Sequence, residues 1–226
     1  MRVLAIDTAL EACSAALLDT GQGATLARQS RAMTRGHAEA LMPLISDVMV
    51  QCEMDFKEID RVAVTTGPGS FTGLRVGLAA ARGIGLAAGK PVVGLTTLAA
   101  LAAPYIASDD TTSVAVAIDA RHNHVYLQIF GPAGRTLIAP RIVPVAEAVR
   151  AAASAPVRLV GSGAPMLAAA WPKNSMPLSV EERRAPDIDW VARLGAAANE
   201  SQSAPKPLYL RAPDAQPQGA SQLPRR

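Results

Sequence analysis

Hydrophobic positions in this chain come first as short runs and then as long stripes, and the change of period outlines the elements. Val3-Leu4-Ala5-Ile6 is a brief apolar run ending on Asp7-Thr8, and Cys13 to Asp19 is a second after a turn-like break, so the pair predicts a hairpin. A weaker segment, Ala24 to Arg31, completes a three-stranded meander. From Gly36 to Glu53 the spacing becomes helical: Leu41, Leu44, Ile45, Val48 and Cys52 form one stripe, and Ala38, Met42, Ile45 and Met49 an adjacent one. The polar remainder, Glu39, Ser46, Asp47 and Glu53, is narrow. Such a helix needs more than one neighbour: either it is sandwiched inside its own domain, or its second stripe docks a partner protein.

The strand Arg61 to Thr66 follows, then a glycine-rich turn from Gly67 to Gly73 and a helix to about Ala88, which Gly89 and Pro91 stop. Pro91 to Leu95 is a short buried strand, and Thr96 or Thr97 is placed to cap a helix holding Leu98 to Ala103. The β-β-β opening then recurs in strands Ser113 to Asp119, His124 to Phe130 and Thr136 to Val143. Helix Pro144 to Ala152, strand Val157 to Val160 and helices near Ala164 to Ala170 and Pro186 to Asn199 follow, while Trp171 to Ala185 has no clear period. This internal duplication predicts an α/β chain of two ribonuclease H-like lobes, mixed sheets flanked by helices, dividing as 1–104 and 105–200. The tail 201–226, rich in Pro, Gln and Ala, is expected to be poorly ordered apart from Leu208-Tyr209-Leu210-Arg211.

Composition narrows the function classes. With 226 residues, 50% hydrophobic but only 4% aromatic, the core must be stabilised by close backbone packing more than by aromatic bulk. The net charge is +3 and the basic residues are scattered, which argues against a dedicated RNA-binding module. Cys13 and Cys52 lack metal-ligand spacing and read as buried thiols in a reducing compartment. No secretory pattern opens the sequence, and the longest apolar run, Val76 to Ala88, is broken by Arg82. A soluble, cytoplasmic protein without membrane contact is expected.

The candidate chemistry centres on Gly67-Pro68-Gly69-Ser70-Phe71-Thr72-Gly73. A glycine-rich turn before a helix can cradle phosphate through converging N–H groups, so Gly67, Gly69 and Ser70 are candidate anion or nucleotide contacts. The turn misses the Walker pattern by one residue and the dinucleotide fingerprint by one place. The competing reading is packing, because Gly73, Gly77 and Ala81 recur every fourth residue and leave a flat strip for another helix. Asp7 and Asp119 end the first strands of the two halves and could hold a metal–phosphate group or serve as turn carboxylates. His37 lacks a second histidine four residues on, since Leu41 stands there, and His122 and His124 flank a turn with no nucleophile paired to them.

Ile6-Asp7-Thr8-Ala9, Gly36-His37-Ala38-Glu39, Thr66 to Arg75, Asp119-Ala120-Arg121 and Tyr209-Leu210-Arg211-Ala212-Pro213 together resemble the TsaD/TsaB glycoprotease-like family, over roughly residues 1 to 213. The resemblance is to its TsaB branch. It implies an actin/Hsp70/sugar-kinase (ASKHA) fold and a role in forming N6-threonylcarbamoyladenosine in tRNAs that read codons beginning with adenine. It implies a non-catalytic subunit with no catalytic residue, metal or cofactor of its own, ATP or ADP entering only at the level of a complex. The implied partners are a TsaD-like catalytic subunit, a TsaE-like ATPase through the complex, tRNA indirectly, and a second copy of the chain in isolation. TsaD-like members carry a His-x-x-x-His metal pair where this chain has His37 and Leu41. The family's first two helices form the pairing surface, which here implicates His37, Leu41, Met42, Ile45, Met49, Gly73, Val76, Gly77, Ala80, Ala81 and Ile84. The rival expectation is a stand-alone ATP-binding or metallopeptidase-like enzyme of the same fold.

Overall fold

The computed structural model describes residues 1–203 and 205–211. Strands β1 (Arg2–Asp7), β2 (Ala12–Asp19) and β3 (Ala24–Ala32) form the expected meander, and β4 (Arg61–Thr65) and β5 (Val92–Leu95) join it in the order β3-β2-β1-β4-β5. The first three pair antiparallel, whereas β4 runs parallel to both β1 and β5. The second sheet repeats this plan: β6 (Ser113–Asp119), β7 (His124–Phe130), β8 (Thr136–Pro144), β9 (Val157–Val160) and β10 (Ser179–Glu181) lie in the order β10-β9-β6-β7-β8. Here too the first three strands are antiparallel and the later two parallel. β10 falls inside the stretch without a period. Three residues are too few to show alternation, and its place is set by pairing with β9.

Helices α1 (His37–Gln51) and α2 (Phe71–Ala88) lie side by side on one face of the first sheet, where Leu4, Ile6, Leu17, Leu41, Ile45, Val48, Leu78 and Ala81 share a core. Ser70 caps α2 by accepting the Gly73 N–H, and Gly89 ends it in the left-handed conformation at φ 66°. α3 (Thr97–Ser108) starts at the capping Thr96. In the second half, α4 (Val145–Ala152) and α5 (Ala164–Ala169) cover one face of the second sheet.

The division of the chain at residue 104 does not describe the packing. That boundary cuts α3, whose Leu98, Leu101 and Ala102 pack on Val114, Val116 and Ile118 of the second sheet. α6 (Ile188–Ala197), expected with the second lobe, instead lays Ile188, Val191 and Ala192 on Val3, Ala5, Ala16 and Ala63 of the first sheet. Arg61 fixes it there by donating to the carbonyls of Gly195, Ala196 and Ala198 at the C-terminal end. Each lobe thus covers one sheet face with a helix drawn from the other half of the sequence. Hydrophobic pattern reveals that a helix has an apolar face, but not which of two similar sheets receives it.

Within the described part of the tail, Leu208 to Arg211, the stretch set apart from the expected disorder, is held in place, and Ser203 before it is held as well. Ser203 accepts from the Gly94 N–H, Leu208 donates to the Thr66 carbonyl, and Arg211 reaches the Ala120 carbonyl. Backbone pairing along the end of β4 and the edge of β5 orders a segment whose composition alone suggests a linker. Ala212 and Pro213, which carried part of the family resemblance, lie outside the described residues.

Candidate functional site: the cleft between the lobes

The ends of β1, β4, β6 and β9 converge on a cleft of about 660 Å³ between the two sheets. Gly69, Ser70 and Asp119, three of the predicted contacts, line it. Asp7 and Gly67 do not.

Asp7 is fully buried beneath the turn that follows it. Its Oδ1 accepts from Thr65 Oγ1 at 2.5 Å and from the Ala9 N–H at 3.2 Å, while Oδ2 has no hydrogen-bond partner among the described residues. Burial pushes the Asp7 carboxyl up to about 6, against the opposing pull of the Thr65 and Ala9 hydrogen bonds and the nearby His37. His37, itself buried, is tied through Nε2 to the Leu10 carbonyl at 3.2 Å. Sealed in this way, Asp7 presents no oxygen to a ligand in the cleft.

The glycine turn explains the sealing. A Cβ on Gly69 would overlap the Ala9 carbonyl oxygen, one on Gly73 the Thr8 carbonyl oxygen, and one on Gly77 the Thr8 hydroxyl. These glycines let the start of α2 sit directly on the backbone that follows β1. Ser70 N–H donates to the Ala9 carbonyl at 2.7 Å and Gly73 N–H to Ser70 Oγ at 3.3 Å, so neither amide is left for phosphate. Gly67, at φ 107° before a cis peptide to Pro68, approaches Leu74 and the Leu208 carbonyl. The arrangement fits a joint between backbone segments and not a phosphate cradle.

The second lobe repeats the joint with a motif that sequence reading passed over. Gly161-Ser162-Gly163 follows β9, and Gly161, at φ 111°, sits where a Cβ would overlap the Ala117 carbonyl oxygen. Gly163 N–H donates to that same oxygen, and Ser162 Oγ accepts from Asp119 N–H at 3.0 Å. A glycine pair directly after a predicted strand was the available signal. Asp119 itself is exposed and accepts the Arg121 N–H at 2.7 Å, the role of a turn carboxylate. Arg121, Glu182, Arg184, Tyr209 and Arg211 complete the walls. Arg121 comes from the β6–β7 turn and Tyr209 and Arg211 from the tail, all three within segments that carried the family resemblance, whereas Glu182 and Arg184 come from the aperiodic stretch, where no local pattern marks them. No group of three His, Cys, Asp or Glu side chains with metal-holding geometry occurs among the described residues.

The residues expected at a pairing surface separate into two groups. His37, Leu41, Ile45, Met49, Gly73, Gly77, Ala81 and Ile84 are buried within this chain, where Leu41, Ile45, Met49 and Ala81 belong to the core under α1 and α2. The glycine strip therefore serves β1 and not a foreign helix. Met42 is 48% exposed, and Val76 and Ala80 are half-buried, packed at the margin of the same core. Two further apolar residues of these helices, missed by pattern, are exposed: Val50 at 71% and Leu86 at 86%. The wet side of α1 is broader than expected, with Met42, Pro43, Val50 and Gln51 added to the polar positions.

The family model described as TsaD, tRNA N6-adenosine threonylcarbamoyltransferase, matches residues 29–179. The "tRNA threonylcarbamoyladenosine biosynthesis protein TsaB" of Escherichia coli K12 is 39% identical over 56% of this chain and 53% of its own length, and the Haemophilus influenzae protein of the same description is 36% identical over 56% and 52%. The chain thus spans about half the length of these curated relatives. An uncharacterized protein of Mycobacterium tuberculosis H37Rv is 36% identical over 95% of this chain and 94% of its own. Among solved structures, YeaZ from Pseudomonas aeruginosa superposes with a TM-score of 0.78 at 28% identity, covering 92% of this chain and 99% of that one. An inorganic polyphosphate/ATP-glucomannokinase from Arthrobacter, at 12% identity and a TM-score of 0.52 over 87% of this chain and 98% of its own, shares the fold alone. The duplicated sheets are accordingly those of a two-lobed actin-like fold, and the chain belongs to the TsaD family of tRNA N6-adenosine threonylcarbamoyltransferases, alongside its TsaB members.

Proposed function

We propose that this chain is a non-catalytic subunit in the formation of N6-threonylcarbamoyladenosine in tRNA, pairing with and supporting a TsaD-like catalytic subunit. The observation that carries the reading is the exposure of apolar side chains on α1 and α2, Met42, Val50 and Leu86, on the two helices whose Val76 and Ala80 are only half-buried. Arg82 is the neighbouring charge on α2, and Ala79 and Gly83 leave the surface low enough for a partner helix to approach closely. The cleft supports the same reading from the other side, because its glycines join backbone to backbone and Asp7 is sealed.

In this proposal the catalytic metal and any bound ATP or ADP belong to the complex, a TsaE-like ATPase acts through it, and tRNA is met indirectly. In isolation the same outer face pairs two copies of this chain, so self-association competes with the partner. The rival, a stand-alone ATP-using enzyme, draws on the cleft volume and on Arg121 and Arg184 in its walls. Titration of the purified chain with a TsaD-type subunit separates the two. Leu86→Glu is expected to weaken association at least tenfold, about 1.4 kcal/mol or more, while leaving thermal stability unchanged because the side chain is in solvent. Unchanged affinity would remove this face from the proposal, and ATP turnover by the chain alone would favour the rival.

A further inference from the structure

The described tail crosses from one lobe to the other, and its attachments are unequal. On the first lobe it is held repeatedly: Ser203 by the Gly94 N–H at 2.7 Å, Pro205 by Arg82 Nη2 at 2.5 Å, and Leu208 by the Thr66 carbonyl at 2.8 Å. Tyr209 then stacks tilted on Phe71, ring centroids 5.1 Å apart, and Arg75 lies over the same Phe71 ring at 3.8 Å. Arg211 donates from Nη1 to the Ala120 carbonyl of the second lobe at 2.7 Å.

The place where Arg211 takes hold is unusual. Ala120 opens the β6–β7 turn, in which Arg121, His122 and Asn123 all have positive φ, 62°, 52° and 58°. Non-glycine residues rarely adopt that conformation, and three in succession make the turn the most strained backbone of the cleft wall. The turn closes on itself through Ala120 N–H to the His124 carbonyl and His124 N–H to the Arg121 carbonyl. The Ala120 carbonyl faces outward and is taken by Arg211.

The geometry points to residues 205–211 as a latch that sets the opening of the cleft, with Arg211 as its hook and the Ala120 carbonyl as its catch. Because the anchors all lie on the first lobe, releasing the hook removes the tail's hold on the second lobe without unfolding either sheet, and leaves the exchanged helices α3 and α6 as the joint about which the lobes move. A second bridge crosses the cleft, where the Arg184 side chain pairs with Glu11 at 3.0 Å and its carbonyl accepts the Glu11 N–H at 3.1 Å; on its own side Arg184 also pairs with Glu182 at 2.7 Å. Its charges are exposed, so water competes for them, whereas the Arg211 bond is partly buried. The latch operates within one chain and does not depend on a partner lying on α2.

Pulsed electron–electron distance measurement on the full chain tests this, with spin labels at the exposed positions 47 and 150, one on each lobe, in a Cys52→Ser background. Cys13 is buried and remains unlabelled. Arg211→Ala is expected to broaden the interlobe distance distribution and to speed amide exchange at residues 120–124 at least fivefold, with the midpoint of thermal unfolding little changed. Arg211→Lys, which keeps a donor, should restore both, and Arg184→Ala should leave the distribution close to that of the parent. A distribution and exchange rates in Arg211→Ala equal to the parent's would overturn the latch. So would equal broadening from Arg184→Ala, which would assign the setting of the lobes to the exposed ion pairs. If Arg211→Ala lowers the yield of folded protein, Tyr209→Ala removes an anchor and is expected to give the same broadening, its absence again overturning the latch.

Discussion

At the scale of single residues, Asp7 shows how a carboxylate at a strand end can be sealed away from the cleft beside it. The strand end that places it was visible in the apolar run Val3 to Ile6, but the turn from Gly67 to Gly73 closes over it, which depends on contacts between segments some sixty residues apart. A carboxyl with its folded value near 6, against an ordinary value of 3.8, resists ionisation in the fold more than in the unfolded chain. Its contribution is therefore most favourable below pH 4 and is lost as pH rises through 6, a change of about 3 kcal/mol. Asp7→Asn should remove that dependence: the difference in unfolding free energy between variant and parent, from urea denaturation, is expected to shift by about 2 kcal/mol in favour of the variant between pH 4 and pH 7. A difference independent of pH would show that Asp7 is ionised without penalty. Leu41 was legible as the residue standing where a second histidine would be needed, and the structure adds that it is core.

At the scale of elements, α2 divides along its length and around its circumference. Its inward glycines meet β1 and the turn after it, Val76 and Ala80 flank them half-buried against the core, and Leu86 stands exposed. The period-four strip Gly73-Gly77-Ala81 was readable in the sequence, but its direction was not, because periodicity fixes a face and not what that face touches. Substitution within one helix tests the assignment. Gly73→Ala forces a Cβ onto the Thr8 carbonyl and is expected to cost about 3 kcal/mol, whereas Gly83→Ala, with open space around it, should stabilise by about 0.5–1 kcal/mol. Chemical denaturation of both variants checks the pair, and similar effects of the two would contradict an inward-facing strip. Most element positions were legible because caps, glycine stops and apolar runs agree locally. β10 was not, since only its neighbour β9 defines it.

At the scale of the whole molecule, the duplicated β-β-β-α-β-α order predicted two lobes, and the two five-stranded sheets of matching order carry that prediction. What sequence order concealed is the exchange of helices, α3 onto the second sheet and α6 onto the first, and the return of the tail across the cleft. These are long-range contacts between apolar or polar surfaces with no local signature. They make the molecule one interlocked body whose glycine turns join its own backbone, with Met42, Val50 and Leu86 among its exposed apolar residues on α1 and α2. The proposal of an accessory subunit joins those two properties, and omission of one component from a reconstituted tRNA-modification reaction tests it most directly. With the TsaD-type subunit, the ATPase, the threonylcarbamoyl donor and tRNA present, leaving out this chain is expected to abolish N6-threonylcarbamoyladenosine formation, and this chain with donor and tRNA alone should form none. Undiminished modification in its absence, or modification by this chain unaided, would contradict the account.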